Sequence, residues 1–205
     1  MIIIIDYELG NVKSVMNAFE YIGSDIILSR DPKLISKASG IVLPGVGAFG
    51  EGMKRLKKYN LVNIIKKAVS EGIPILGICL GFQILMSSST EHEFNEGLSL
   101  LNHKVIRLPV NERLPHIGWS KVSCPKELQL KPNLLKGIEN EYFYFVHNYG
   151  VKTNSIHEKY AFAKYGGLNF VALMENKNIF GTQFHPEKSG EAGICLLKNF
   201  NDICS

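Results

Sequence analysis

The sequence predicts an α/β fold: a mostly parallel central sheet flanked by helices, with antiparallel strands added in the C-terminal half. Three observations carry this. From Ile2 to Met86, short apolar β-branched runs alternate with stretches of helical periodicity, the pattern of parallel strands joined by crossover helices. Beyond about residue 100, strand-like runs follow one another with only turn signals between them. They are too close for crossover helices, so antiparallel hairpins are expected. Finally, 45% hydrophobic and 20% charged residues in a chain of 205 allow a sizeable core. At roughly 150 residues per domain, one domain over 1–205 is the expectation.

Ile2–Ile5 forms the first strand, and Val12, Val15, Met16, Phe19 and Ile22 then recur at helical spacing. Ile26–Leu28 is a second short strand. Asp31-Pro32 opens a short helix, with Pro suited to its first turn. Ile41–Leu43 is the third strand, and a helical stretch after it runs to Ser70. Ile73–Ile78 is the fourth, followed by a helix through Phe82, Leu85 and Met86. Later strands are expected at Lys104–Leu108, Tyr142–Val146, Tyr160–Lys164, Phe170–Met174 and Ile179–Gln183. Gly166-Gly167 and Asn176-Lys177-Asn178 act as turns. A last helix carries Leu196, Leu197, Phe200 and Ile203 on one side.

Composition excludes several classes. No apolar run reaches the roughly 18 residues that cross a bilayer. Met1 leads into Ile2–Ile5 with no basic region before it and no cleavage site after it, so a secretory leader is not expected. Cys79, Cys124, Cys195 and Cys204 form no C-x-x-C pair, which predicts reduced thiols and a cytoplasmic setting. The net charge is +4. Its densest cations (Lys54, Arg55, Lys57, Lys58, Lys66 and Lys67) interleave with Met53, Leu56, Leu61, Ile64, Ile65 and Ala68. That is the wet side of amphipathic helices, not a nucleic-acid stripe.

Three local signals bear on chemistry. Gly45-Val46-Gly47-Ala48-Phe49-Gly50 is a literal G-x-G-x-x-G between a strand and a helix. A dinucleotide site also needs an acidic residue at the end of the next strand, and that strand ends in Cys79. Gly77-Ile78-Cys79-Leu80-Gly81 is G-x-C-x-G at a strand-to-helix turn. Such a turn lifts the central side chain out of the sheet, and glycines let neighbouring backbone pass close by. The following amides and the helix N-terminus favour a thiolate and an oxyanion. A small buried cysteine in a tight turn is the plain alternative. His185-Pro186-Glu187 supplies a base and an orienting carboxylate from one loop. His92, His103, His116, His147 and His157 lie at no metal-ligand spacing, so zinc is not expected and surface or satisfied core positions are. Cysteine elbow and His-x-Glu loop together describe a Cys-His-Glu triad.

Gly77-Ile78-Cys79-Leu80-Gly81-Phe82-Gln83 with Phe184-His185-Pro186-Glu187 resembles the triad-type, class I glutamine amidotransferases. Asp6-Tyr7-Glu8-Leu9-Gly10-Asn11, Leu43-Pro44-Gly45-Val46-Gly47-Ala48-Phe49, Pro115-His116-Ile117-Gly118-Trp119, Tyr144-Phe145-Val146-His147-Asn148-Tyr149 and Gln183–Ser189 resemble one branch of them, the glutaminase subunits of imidazole glycerol phosphate synthase. The resemblance runs from Asp6 to about Phe200. The family differs from this chain in having Ser or Thr where Asn148 stands and a small or Met-like residue where Glu8 stands.

The resemblance implies that Cys79 is the nucleophile, His185 its base and Glu187 the orienting carboxylate. The backbone N–H of Leu80, with that of Val46 or Gly47, would form the oxyanion hole. Gln83, Glu91 and the backbone near Asn148 and Tyr149 would line the glutamine pocket. Neither metal nor organic cofactor is required. The chain has no room for a second catalytic domain, so a heterodimer is expected, the partner being a (βα)₈-barrel cyclase or synthase subunit that uses the ammonia. A paralogous glutaminase serving a sugar amidotransferase of surface-polysaccharide assembly is the alternative. A non-catalytic binding subunit, or another cysteine hydrolase on the same fold, is the alternative of a different class.

Overall fold

The structure, a computed structural model, describes residues 1–125, 131–153 and 158–205. Strands β1 (Ile2–Ile5), β2 (Ile26–Ser29), β3 (Gly40–Leu43) and β4 (Ile75–Ile78) alternate with helices α1 (Val12–Tyr21), α2 (Pro32–Ile35), α3 (Phe49–Lys58) and α4 (Leu61–Ser70). Helix α5 (Leu80–Ile84) leaves the end of β4. Then come β5 (Met86–Ser89), β6 (Asn95–Glu96), β7 (Leu101–Arg107), β8 (His116–Lys121), β9 (Tyr142–His147), β10 (Tyr149–Gly150), β11 (Lys159–Tyr165), β12 (Leu168–Asn176), β13 (Ile179–Thr182) and α6 (Gly190–Ile203).

The main sheet has seven strands in the order β11-β12-β13-β4-β3-β1-β2. Its β13-β4-β3-β1-β2 part is parallel, and β12 and β11 continue it antiparallel beyond β13. A second sheet has the order β10-β7-β5-β6, and β8 pairs with β9 as an antiparallel ribbon. The expected mostly parallel sheet with antiparallel additions is present, but β13 of the second half joins the parallel part beside β4, and β7 pairs parallel with β5.

Both faces of β1, β3 and β4 are covered, which is why these three strands are apolar at every position. Ile3, Ile5, Ile41, Leu43 and Ile75 point into the layer held by α3 and α4. Ile2, Ile4, Val42, Leu76 and Ile78 point the other way, toward Phe19 of α1 and Leu196, Leu197 and Phe200 of α6. Asp31 caps α2 by accepting from the Lys33 N–H at 2.8 Å, as Asp31-Pro32 predicts.

Two expected helices end earlier than periodicity suggests. The stretch to Ser70 is two helices, because Asn60 adopts φ +57° between α3 and α4. The helix after Cys79 stops at Ile84, and Met86 belongs to a strand. Here the Leu98 N–H donates to Ile84 O (2.8 Å) and the Leu100 N–H to Leu85 O (2.9 Å). The returning chain thus takes the carbonyls that another helical turn would use. Strand β8 carries no strong period in the sequence, since Gly118 interrupts it at φ +135°. His157 lies outside the described residues.

Helix α6 is fastened to the sheet by Phe200, fully buried and edge-on to Phe19 (6.4 Å between centroids) and Phe180 (5.8 Å). Phe200→Ala leaves a cavity there and is expected to cost about 3–5 kcal/mol, read as a lower midpoint of urea unfolding.

Candidate active site

Cys79 sits immediately after β4 with φ 54° and ψ −106°, a conformation that costs a non-glycine residue about 1–3 kcal/mol. Its neighbours impose this. A Cβ on Gly77 would lie 2.7 Å from the Phe82 N and Cα, and one on Gly81 would collide with the Leu43 carbonyl oxygen. The Cys79 N–H donates to Thr182 O at 2.7 Å, and Cys79 O accepts from the Gln83 N–H at 3.1 Å. The elbow is therefore held from the neighbouring strand, from β3 and from its own helix.

The register of β13 against β4, Thr182 beside Ile78, brings the next residues of both strands to one edge of the sheet. His185 follows there, 2% exposed. Its backbone is clamped to β9: the His185 N–H donates to Tyr144 O (2.9 Å), the Tyr144 N–H to Ser189 Oγ (3.0 Å), and Ser189 Oγ to His185 O (2.6 Å). His185 Nδ1 lies 2.8 Å from Glu187 Oε1. A carboxylate only accepts, so the proton of this bond is on Nδ1 and Nε2 is left to bind another. Among the described residues, Nε2 has no hydrogen-bond partner. Burial works against a charged His185, but the neighbouring Cys79 and Glu187 outweigh it and push the pKa up to about 10.

The G-x-G-x-x-G packs against this elbow. A Cβ on Gly45 would approach Leu80 Cβ to 3.0 Å and crowd the Tyr7 hydroxyl. Tyr7, fully buried, donates to Pro44 O at 2.5 Å, and burial together with the Cys79 charge raises its pKa. The Leu80 N–H donates to Gly45 O at 3.2 Å and is thus engaged. Val46 is exposed, and Gly47 has φ +106°.

The residues expected around glutamine divide. Gln83 Nε2 donates to Tyr149 O (2.9 Å) and to Gln183 Oε1 (3.0 Å). Asn148 is exposed, its carbonyl accepting from the Leu108 N–H at 3.0 Å. Glu91 places one carboxylate oxygen on the Phe49 N–H at 2.7 Å, at the start of α3. Glu8, at φ +62°, is surrounded by Arg30, Arg55 and Lys58, and Arg55 also donates to Glu8 O at 2.8 Å. Arg55 and Lys58 tie the loop after β1 to α3, and Arg30 ties it to the end of β2.

Sequence reasoning did not single out Gln183, which is fully buried with Nε2 3.8 Å from Cys79 Sγ. His116 and His147 are expected as surface or satisfied core positions. They are buried and paired, Nδ1 of His116 lying 3.1 Å from Nε2 of His147. The signal was present in the motifs around them. His92 is exposed, and His103 pairs with Glu158 at 2.6 Å. Among the described residues, no group of His, Cys, Asp and Glu is arranged to hold a metal, and no helix is long and apolar enough to cross a membrane.

Known proteins resemble this chain along its length. It matches the class-I glutamine amidotransferase family over residues 3–203. The imidazole glycerol phosphate synthase subunit HisH of Methanothermobacter thermautotrophicus is 45% identical over 204 residues, 99% of this chain and 98% of that protein. The subunit of the same name from Lactococcus lactis is 44% identical over 199 residues, 97% of this chain and 96% of that protein. Among solved structures, a glutamine amidotransferase superposes with TM-score 0.76 at 16% identity, covering 98% of both chains. Another, from Thermotoga maritima, gives TM-score 0.60 at 19% identity, covering 98% of this chain and 82% of the other. At those identities the structures speak for the fold; the matches in sequence speak for descent. This chain belongs to the class-I glutamine amidotransferase family.

Proposed function

We propose that this chain is the glutaminase subunit of an imidazole glycerol phosphate synthase of histidine biosynthesis, working in the cytoplasm as a single domain over residues 1–205. It hydrolyses glutamine through Cys79, His185 and Glu187 and hands the ammonia to a separate (βα)₈-barrel cyclase subunit. The observation that carries this reading is the pair at the sheet edge: a strained cysteine elbow facing a buried histidine whose other nitrogen is fixed by a carboxylate.

A carboxamide is a poor electrophile, so the thiol must be ionised before it attacks. Glu187 fixes the tautomer of His185 and leaves Nε2 to take the Cys79 proton, and the raised pKa of His185 keeps that proton on the ring. The thiolate adds to the side-chain carbonyl of glutamine. His185 then returns the proton to the departing nitrogen, giving ammonia and a γ-glutamyl thioester. Water, deprotonated by His185, cleaves the thioester to glutamate and the free thiol. The oxyanion of each adduct needs N–H donors. The Leu80 N–H becomes one only when the Gly45 carbonyl turns away, since the two are bonded at 3.2 Å.

Ammonia released into water is protonated and lost, so the acceptor enzyme must cover the site. The β8–β9 ribbon beside His185 exposes Ile117 (60%), Trp119 (55%) and Tyr142 (56%), an apolar surface suited to a partner. Phe145, on the opposite face of the ribbon, is fully buried.

In the complex with the cyclase, Cys79→Ser is expected to lower glutamine-dependent product formation by about 10³-fold or more while ammonium-dependent formation continues. Retained glutamine use overturns the assignment. His185→Ala should cost nearly as much as losing Cys79, with the loss from Glu187→Gln about a hundredfold smaller, because the members of a triad act as a unit. Steady-state glutaminase rates at saturating glutamine check this order.

A pH effect on stability also follows. His185 binds its proton more tightly folded than unfolded, so its pairing stabilises fully below its ordinary pKa of about 6.5. That contribution is lost as the pH rises through about 10. The stability of the unmodified chain relative to His185→Ala, measured by urea unfolding, should therefore fall across that window.

A further inference from the structure

A directed chain of hydrogen bonds runs from the β8–β9 ribbon to the nucleophile, and its middle member fixes every proton. The Tyr149 carbonyl oxygen only accepts. It lies 2.8 Å from His147 Nδ1 and 2.9 Å from Gln83 Nε2, so both must donate to it. His147 Nε2 is then an acceptor, and the proton of its 3.1 Å bond belongs to His116 Nδ1. His116 Nε2 in turn accepts from Ser120 Oγ at 2.9 Å. Both rings are neutral in this arrangement. An imidazolium at His147 would carry a hydrogen on Nε2, opposed to the one on His116 Nδ1. Burial keeps both rings neutral, lowering the pKa of His147 to about 3 and that of His116 to about 4.

On the other side of Tyr149, the second N–H of Gln83 goes to Gln183 Oε1 at 3.0 Å. That choice orients the Gln183 amide. Its oxygen is taken, so its nitrogen faces Cys79 Sγ at 3.8 Å, within reach of the larger sulfur atom. We propose that Gln183 is a further catalytic residue, donating an N–H to Cys79 Sγ to stabilise the thiolate, and that His116 and His147 are positioning residues that fix this donor through the Tyr149 carbonyl and Gln83.

The chemistry has a sign. In the thiol form, Cys79 Sγ faces the Val146 carbonyl at 4.0 Å, an acceptor that favours keeping the S–H. A donor on the opposite account favours losing it, and the N–H of Gln183 strengthens as charge grows on sulfur. The titratable groups set against Cys79 are His185 after β13 and Tyr7 after β1, with His147 of β9 acting on His185. Gln183 is uncharged, so its effect is separable from theirs. The inference rests on the proposed function only in calling Cys79 the nucleophile.

The test reads the thiol directly. Iodoacetamide alkylation of the Cys79 peptide is followed by mass spectrometry between about pH 5 and pH 9, spanning the ordinary cysteine range. Gln183→Met, similar in size but without the donor, should raise the apparent pKa of alkylation by about one unit and slow the reaction about tenfold at neutral pH. His116→Phe should shift it the same way. It keeps the stack on Phe145 and Tyr165 (centroids 5.1 and 4.2 Å away) but removes the proton that orients His147. His116→Asn, which can still offer an N–H to His147 Nε2, should restore most of the lost rate. Should Gln183→Met fail to fold, Gln183→Glu sets a carboxylate against the thiolate and must shift the profile at least as far. An unchanged profile in whichever Gln183 variant folds overturns the role of Gln183. Equal profiles for His116→Phe and His116→Asn overturn the relay. No glutamine is needed for this measurement, so glutaminase activity surviving in Cys79→Ser would refute the proposed function while leaving the alkylation result to stand.

Discussion

The site depends on one backbone register, the parallel pairing of β13 with β4. Ile179 lies beside Ile75 and Thr182 beside Ile78, so the strands end together, and the Cys79 N–H closes the ladder onto Thr182 O at 2.7 Å. A shift of one residue would turn every side chain of β13 to the other face and carry His185 away from the thiol. Both strands are buried on both faces, which makes such a slip costly: Phe180 would exchange layers with Ile179 while Leu76 and Ile75 stay in place. The placement of Cys79 and His185, far apart in sequence, thus follows from apolar burial within four-residue strands.

Register alone does not hold an imidazole in place; the second half of the chain does. Strand β9 supplies Tyr144 to the backbone of the histidine loop, and two residues past its end Tyr149 supplies a carbonyl to Gln83. Its partner β8 brings His116 opposite His147. A ribbon outside the main sheet therefore supports the His185 loop on one side and Gln83 on the other, while presenting Ile117 and Trp119 outward. The same strands serve the inside and the outside because side chains alternate between faces.

Much of this was legible in the sequence, and the illegible part has a physical cause. The first four strands, the elbow glycines and His-x-Glu are local: each depends on residues within a few positions of one another. Gly77 and Gly81 could be read as required by close backbone, and the contacts with Phe82 and Leu43 give the reason. Gln183, His116 and His147 could not be read that way. Their partners are set by strand pairing across the fold, such as His116 opposite His147, and no spacing in the chain encodes it. The early end of the helix after Cys79 has the same origin, since residues near Leu98 and Leu100 capture its carbonyls. Glu91 is a similar case: the resemblance implies a place at the glutamine pocket, and only the folded chain shows one of its carboxylate oxygens on the Phe49 N–H at the start of α3.

The strain at Cys79 links these layers. A non-glycine residue in this left-handed conformation persists only where the surroundings over-determine it, and here they do so by backbone: Thr182 O on its N–H, the Gln83 N–H on its carbonyl, and glycines where Phe82 and Leu43 press in. None of these restraints uses a group that must move during the reaction. The Leu80 N–H is different, because it is the donor nearest the thiol in sequence and it is bonded to Gly45 O. Under the proposed function, the base is assembled at rest while this oxyanion donor is still engaged. Glycine at 45 has no side chain to obstruct a turn of that peptide, and Gly47 already lies at φ +106° two residues on. Under the same reading, the peptide that would have to turn lies in a glycine-rich strand end, the segment that carries none of Cys79, His185 and Glu187. Such an arrangement suits an enzyme whose ammonia is useful only when an acceptor is present.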